Sequence, residues 1–314
     1  MSIKKILKII LPLGLGGLLV WYSISKISID ILISYFKEAN YSWIFLGLFF
    51  GALSHLSRAY RWRFMLEPLG FKPKLPNSIL AVLVGYLVNL ALPRAGEVSR
   101  ALVLTNYENV PFEKGFGTIV AERIADLIMM LCIIIITLFV QFDFIYELVT
   151  QNFDPAKISI GLAISLIGFY TLTSFIKKAK SGFLLKIKTF VSGLVEGVTS
   201  IFKMKNKWAF IFHTVFIWVM YVAMFRATIP AIEGLEVPLG GILIGFIAGG
   251  FSIAATNGGI GLYPIAVAGA LALFDIPLEP ATAFGWIMWT AQTAMIIIFG
   301  GLAFLLLPIY NKNK

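Results

Sequence analysis

The sequence has little of what disulfide-linked, metal-binding or soluble globular proteins contain. Among its 314 residues are one cysteine, Cys132, and two isolated histidines, His55 and His213. A single cysteine cannot form a disulfide within the chain, and this set offers no spacing of zinc ligands. We therefore expect neither a metal nor another cofactor. Charged residues are 13% of the chain, whereas they are about 25% of a typical soluble domain.

Apolar residues, by contrast, are abundant. They make up 59% of the sequence, and the mean hydropathy is +0.89. This composition predicts an all-α polytopic membrane protein, formed by a single integral membrane domain over residues 1–314. The net charge is +10, but the basic residues flank hydrophobic segments. Because basic residues in such places report orientation and contact with anionic lipids, we expect no nucleic-acid partner.

Hydrophobic segments predict about six transmembrane helices, since one crossing takes about 20 apolar residues. The first segment is interpreted as a retained span, because no small-residue cleavage site follows it. The six segments are residues 6–24, 41–57, 118–141, 158–176, 208–229 and 281–307. Segment 183–202 has apolar residues at helical spacing and polar residues on its other faces, which predicts an amphipathic helix on the cytoplasmic surface.

Basic residues predict how these helices are oriented. The loops assigned to the cytoplasmic side contain eighteen Lys and Arg residues, including Arg58, Arg61 and Arg63 after the second span. The loops assigned to the outside contain three. This bias predicts a multi-pass protein of the inner (cytoplasmic) membrane with both termini in the cytoplasm.

Two further hydrophobic segments are interrupted. Segment 77–105 is broken at Pro93, which lacks an N–H group and disfavours helical angles at the preceding residue. Segment 239–274 is broken at the glycine-rich turn 257–261. Each segment is expected to enter and leave by one face, so we predict two opposed re-entrant helical hairpins whose breaks meet in one cavity. Two short crossings are the alternative for 77–105. Opposed broken segments are typical of inverted-repeat transporters with a site near the midplane.

A polar cluster follows the first break. Arg94, Glu97 and Arg100 are spaced three residues apart, so on one face of a helix Glu97 is expected to reach either arginine. Because two arginines accompany one glutamate, the surplus guanidinium group could bind the phosphate of a lipid headgroup, helped by free N–H groups at the helix start. The alternative is a structural ion-pair cluster at the cytoplasmic interface.

A second motif opens the span at 118–141. Glu122, Arg123 and Asp126 lie within little more than one helical turn. Their surplus negative charge could accept hydrogen bonds from Arg94 or Arg100. The same acids could instead hold a proton, or only fix two helices to each other.

The turn in the second interrupted segment is a third candidate. Asn257, Gly258 and Gly259 offer backbone amides with almost no side-chain bulk. This composition suits close approach of a headgroup. It is equally typical of tight helix packing within a membrane.

Three stretches together resemble the flippase-like membrane family that is named for the transmembrane region of lysylphosphatidylglycerol synthase (UPF0104-like). They are PRAGEVSR, which begins at Pro93, GTIVAERIADL, which contains Glu122, and the late GGIG turn. The resemblance covers nearly the whole chain and implies a membrane protein that moves a lipid headgroup between leaflets. In aminoacyl-lipid synthases of this kind a soluble transferase domain follows the membrane part, and none is expected in this chain.

Motifs and resemblance together predict a lipid flippase or transporter for an anionic phospholipid or another lipid-linked headgroup. We expect no catalytic residues, and a transporter rather than an enzyme. The alternatives are a membrane enzyme that acts on a lipid-linked substrate and a non-transporting scaffold for an envelope enzyme. The expected partners are membrane lipids with an anionic headgroup; a homo-oligomer or a separate envelope enzyme stays open.

Overall fold

The computed structural model describes residues 14, 16–25, 27–92, 94–152, 154–178, 181–182, 185, 188, 201 and 204–312. Within these residues the chain is helical and has no strand. The helices are α1 (Gly16–Ile24), α2 (Ile29–Glu38), α3 (Tyr41–Leu66), α4 (Leu75–Ala91), α5 (Ala95–Glu108), α6 (Phe112–Val140), α7 (Phe142–Asn152), α8 (Pro155–Lys178), α9 (Lys207–Thr228), α10 (Leu239–Ala255), α11 (Leu262–Ala272) and α12 (Leu278–Tyr310). The predicted all-α polytopic membrane protein is confirmed.

Several of these helices can cross a membrane. In the described part of the chain, α6, α12 and α9 with its 3-10 extension (Lys207–Ala231) are long and apolar enough, and α1 with α2 would be a fourth span bent by 84°. The predicted spans 41–57 and 158–176 lie on α3 and α8. The total of about six crossings stays a prediction. Most of the predicted amphipathic helix 183–202 and the first part of segment 6–24 lie outside the described residues.

The helices occur in two halves with the same order. Each half has a long helix, a hairpin of two shorter helices and a second long helix: α3, α4–α5 and α6 in the first half, α9, α10–α11 and α12 in the second. We call α4–α5 hairpin 1 and α10–α11 hairpin 2. The first arm of each hairpin has 17 residues. A helix of that length is about 25 Å long, shorter than the apolar core of a bilayer at about 30 Å.

The two halves are inverted with respect to each other. Helices α3 and α9 pack along their length in opposite directions, because Gly47 near the start of α3 lies against Thr228 at the end of α9. Near the other end of the pair, Arg61 donates to the Thr214 hydroxyl at 2.9 Å. The corresponding helices α3 and α9 therefore run in opposite directions, which is the relation expected of an inverted repeat.

The bases of the two hairpins lie at opposite ends of the bundle. Hairpin 1 begins soon after α3, and α6 starts at the same end, because the Trp62 indole donates to Thr118 at 2.8 Å. Helix α6 then runs to the other end, where Gln141 lies against Gly240 at the start of hairpin 2. The hairpins thus point towards each other. Their re-entrant placement in a bilayer stays a prediction.

The tips of the hairpins are in contact. The Asn257 amide, at the break of hairpin 2, donates to the carbonyl of Leu90, at the end of the first arm of hairpin 1, at 2.7 Å. Within hairpin 1 the arms approach closely, because a side chain on Gly96 would overlap the carbonyl oxygen of Gly85. The two interruptions in the sequence therefore contact each other.

Candidate functional site

Five buried charged side chains meet where α3, α5 and α6 come together, and we call this group the charge cluster. Its carboxylates, Glu122 and Asp126, lie one turn apart on α6. Its guanidinium groups belong to Arg58 and Arg61 on α3 and to Arg100 on α5. No side chain of the five is more than 10% exposed.

Both carboxylates are shared between arginines. Arg100 donates to Glu122 through two terminal nitrogens, at 2.8 and 3.1 Å. Arg58 donates to both Glu122 and Asp126, the latter at 2.7 Å. Arg61 donates to the other oxygen of Asp126 at 3.1 Å. Charge-assisted pairs of this kind are the strongest hydrogen bonds in proteins, so the cluster ties three helices together.

The cluster nevertheless contains one more cation than anions. Three guanidinium groups face two carboxylates, and the Nε atoms of Arg58, Arg61 and Arg100 have no hydrogen-bond partner among the described residues. The Trp62 ring, with its centroid 3.9 Å from the Arg100 guanidinium carbon, offsets part of this charge through a cation–π contact. Because an uncompensated charge at membrane depth costs several kcal/mol, the cluster favours an anion beside it.

An open cleft adjoins the cluster on the side of hairpin 1. The free space inside it is small, about 10 Å³, which is room for roughly one water molecule. Arg123 lies at the rim with 44% of its side chain exposed, 3.5 Å from Glu97 and 3.6 Å from Asp126. Both distances exceed those of good hydrogen bonds, so this guanidinium group can turn towards a ligand. The cleft is lined by Val82, Gly85, Tyr86, Asn89, Gly96, Glu97, Arg100 and Arg123.

Arg94 lies at the tip of hairpin 1, outside the cleft lining. Its backbone is left-handed, with φ 63°, a region that non-glycine residues seldom occupy. Its side chain is exposed, and no described carboxylate lies within 4.0 Å of it. An exposed cation at the tip of hairpin 1 is a functional candidate, because none of the described carboxylates pairs with it.

At the tip of hairpin 2, Gly258 and Gly259 also have left-handed backbones, with φ 68° and 82°. The Trp289 indole donates to the carbonyl of Gly258 at 2.9 Å, and Asn257 bonds hairpin 1. The predicted residues of this turn therefore lie beside Leu90, four residues before Arg94. The structure provides backbone groups here but no side-chain charge.

The structure brings most of the predicted site residues together but pairs them differently. Arg100 and the two acids of α6 join the buried cluster, whereas Arg123 and Glu97 form its rim. The expectation that Glu97 reaches Arg94 or Arg100 is wrong: among the described residues its ion pair is with Arg123. Binding of a headgroup by these residues, and by Asn257, Gly258 and Gly259, stays a prediction.

Sequence reasoning missed Arg58 and Arg61. Their assignment to a cytoplasmic loop after residue 57 is wrong, because α3 continues to Leu66 and both side chains are buried. Their spacing of three residues, on the same helix as the buried Ser54 and Ser57, was a usable signal of a polar face turned inwards.

The described residues contain no group of three or more His, Cys, Asp or Glu side chains that could hold a metal ion. The polar groups of the site are guanidinium, carboxylate and amide groups, with the phenol groups of Tyr86 and Tyr221. Their chemistry is that of binding a charged group rather than of coordinating a metal.

The fold and the site define a class, polytopic membrane proteins with opposed helical hairpins around a buried charged site. Within this class, the family described as the lysylphosphatidylglycerol synthase TM region matches residues 9–300. The chain belongs to this family of membrane proteins.

Individual relatives agree with this assignment. A UPF0104 membrane protein of Methanocaldococcus jannaschii is 29% identical over 196 residues, 61% of this chain and 55% of the relative. One of Pyrococcus horikoshii is 24% identical over 199 residues, 62% and 56% of the two chains. The chain thus spans about half the length of these relatives. The glycosyltransferase AglD of Haloferax volcanii is 35% identical over 72 residues, 23% of this chain and 12% of that protein. No solved structure matches significantly.

Proposed function

We propose that this protein moves an anionic phospholipid, or another lipid-linked headgroup with a phosphate, across the cytoplasmic membrane. The observation that carries the proposal is the surplus cation of the charge cluster beside the open cleft. A phosphate at the mouth of the cleft would be within reach of the exposed Arg123 guanidinium and would compensate the excess charge of the buried arginines.

The opposed hairpins support a path for the headgroup. Hairpin 1 supplies the cleft and the exposed Arg94, and the tip of hairpin 2 touches it at Asn257. In this mechanism the headgroup leaves the cleft, passes Arg94 and continues along the backbone groups of hairpin 2. The acyl chains remain in lipid, so only the polar headgroup needs compensation for lost hydration.

The distribution of described charges supports the orientation. Basic side chains concentrate at the end of the bundle where α3 finishes: Arg63, Lys72, Lys74, Lys205, Lys207 and Lys312. Acidic side chains concentrate at the opposite end: Asp143, Glu147, Glu233, Glu236, Asp275 and Glu279. By the positive-inside rule, the basic end faces the cytoplasm, and the chain ends there after α12.

Lipid translocation in liposomes tests the proposal. The liposomes contain fluorescent phosphatidylglycerol in both leaflets, and a reductant that cannot cross the bilayer is added outside. The fraction of lipid that stays fluorescent reports how much lipid has moved between leaflets. We expect Arg94→Asn to slow the movement about tenfold, since a charged contact contributes roughly 1.5–3 kcal/mol. Asn tolerates the left-handed backbone of this position, so the variant should fold normally.

Lys72→Gln is the matched control, because it removes one exposed cation at the end of the bundle, far from the cleft. It should translocate lipid at the wild-type rate. Wild-type translocation by both Arg94→Asn and Arg123→Gln would overturn the proposal. No specific observation favours the enzyme or the scaffold alternative, because the match to AglD covers only a small part of that protein.

A further inference from the structure

Four rings cluster on the outer surface of the α3–α9 pair, away from the cleft. Tyr60 and Phe64 belong to α3, and Phe212 and His213 belong to α9. The Tyr60 centroid lies 5.3 Å from Phe64 and 5.0 Å from His213, and Phe212 lies 5.4 Å from His213. We call this group the aromatic patch. His213 is fixed by a 2.8 Å hydrogen bond between its Nδ1 and the Ser57 hydroxyl, so the patch has a defined shape.

One cation borders the patch directly, and a second lies further along α9. The Arg63 guanidinium carbon lies 5.6 Å from the centre of the Tyr60 ring, and the Lys207 ammonium lies 6.0 Å from that of Trp208, one turn before Phe212 and outside the patch. The nearby Glu67 accepts from Asn206 at 2.9 Å and lies 3.7 Å from Lys72. Its charge is therefore directed to other groups, and the border of the patch is basic.

An apolar strip leads from the patch towards the middle of the bundle. Leu56 lies one turn before Tyr60 on α3, and Val215 and Val219 follow Phe212 along α9. All three side chains are more than 40% exposed. Cations, rings and strip thus succeed one another along the axis of the helices, in the order in which a phospholipid presents its headgroup, its glycerol region and its acyl chains.

We propose that this surface is a fixed binding site for one anionic phospholipid of the adjoining leaflet. The phosphate lies between Arg63 and Lys207, and the acyl chains follow the strip between α3 and α9. Basic pockets between membrane helices on the cytoplasmic side bind anionic headgroups, and the rings place the interfacial region of the lipid. This lipid is a bound component rather than the transported one, and the site is independent of the cleft.

Native mass spectrometry of the purified chain, titrated in detergent with phosphatidylglycerol or phosphatidylcholine, tests the inference. Wild type should retain one phosphatidylglycerol in preference to phosphatidylcholine. Arg63→Gln with Lys207→Gln should weaken phosphatidylglycerol binding about thirtyfold, since each cation near the surface contributes roughly 1 kcal/mol. Lys74→Gln with Lys312→Gln removes the same charge from the same end outside the patch, and should leave binding unchanged.

Equal weakening by both double variants would overturn the inference, because it would reflect general surface charge. So would equal retention of the two lipids by wild type. If the first double variant does not fold, Lys207→Gln alone should still weaken binding about fivefold. Arg123→Gln separates the two proposals: it should slow translocation but keep the bound lipid. Loss of the bound lipid in this variant would assign it to the cleft and overturn the separate site.

Discussion

The two halves of the molecule share a plan but differ in what fills their centres. In the first half, α3 and α6 enclose the charge cluster. In the second half, the corresponding helices α9 and α12 bury Phe225, Phe284 and Trp286. The Phe225 and Phe284 rings pack edge to face, 5.0 Å apart. One half is thus held at its centre by ion pairs and the other by aromatic packing.

This difference shows that the inverted plan does not depend on charge. Both hairpins close through glycine: Gly96 packs on the Gly85 backbone in hairpin 1, and Gly249 packs on the Tyr263 ring in hairpin 2. Glycine allows this close approach because it has no side chain. The charges of the first half hold that half together but are not required by the shared plan, which is why they are also the candidates for function.

Glu122→Gln should lower the free energy of unfolding more than any other substitution considered for the two halves. It leaves the three buried guanidinium groups with one carboxylate, and breaking a buried ion pair costs about 3–5 kcal/mol. Thermal unfolding in detergent should show a strongly lowered melting temperature. Phe284→Leu in the second half should cost only about 1–2 kcal/mol. If Glu122→Gln melts at the wild-type temperature, then the charge cluster does not stabilise the first half.

Gly96→Ala should have the next largest effect. The added methyl group would overlap the Gly85 carbonyl and separate the arms of hairpin 1, at a cost of about 1–3 kcal/mol. Gly117→Ala is the control, because a side chain there meets nothing within 4 Å and helical propensity favours alanine. Unfolding of both variants should be compared by the same thermal assay, and equal melting temperatures would contradict the close packing of hairpin 1.

Asn257→Ala should have the smallest effect, about 1 kcal/mol for one hydrogen bond. Because this bond joins the two tips, hydrogen exchange should rise in both hairpins, near Leu90 as well as near residue 257. Thr256→Val is the control, since the Thr256 hydroxyl bonds the Ser252 carbonyl of its own helix. Unchanged exchange near Leu90 would mean that the tips are not coupled through this amide.

The interruptions of the hairpins were predictable from sequence, and the partners in the charge cluster were not. Proline and glycine act on the local backbone, so the breaks near residues 93 and 257 could be located. Arg58 and Arg61 come directly after a hydrophobic segment, which is also where basic residues of cytoplasmic loops occur. A span whose bounds are taken from hydropathy therefore ends before them. The acids of the next span needed buried cations, but which arginines supply them depends on tertiary packing.

Glu97 illustrates the same limit at short range. Its spacing favours Arg94 and Arg100 on one helix, whereas the fold directs Arg100 to Glu122 and offers Arg123 from α6 instead. A contact within one helix contributes only about 0.2–0.5 kcal/mol. Burial of Arg100 among acids and rings outweighs that preference.

Helix α1 packs against hairpin 2 and α12. A side chain on Gly261, at the end of the turn of hairpin 2, would overlap the backbone of α1 at Leu19 and Val20. The Trp286 indole also donates to the Ser23 hydroxyl at 3.1 Å. Helix α1 thus packs against residues that lie far later in the chain. We expect its final docking to await synthesis of residues 261–286, since a helix cannot close contacts with segments not yet present.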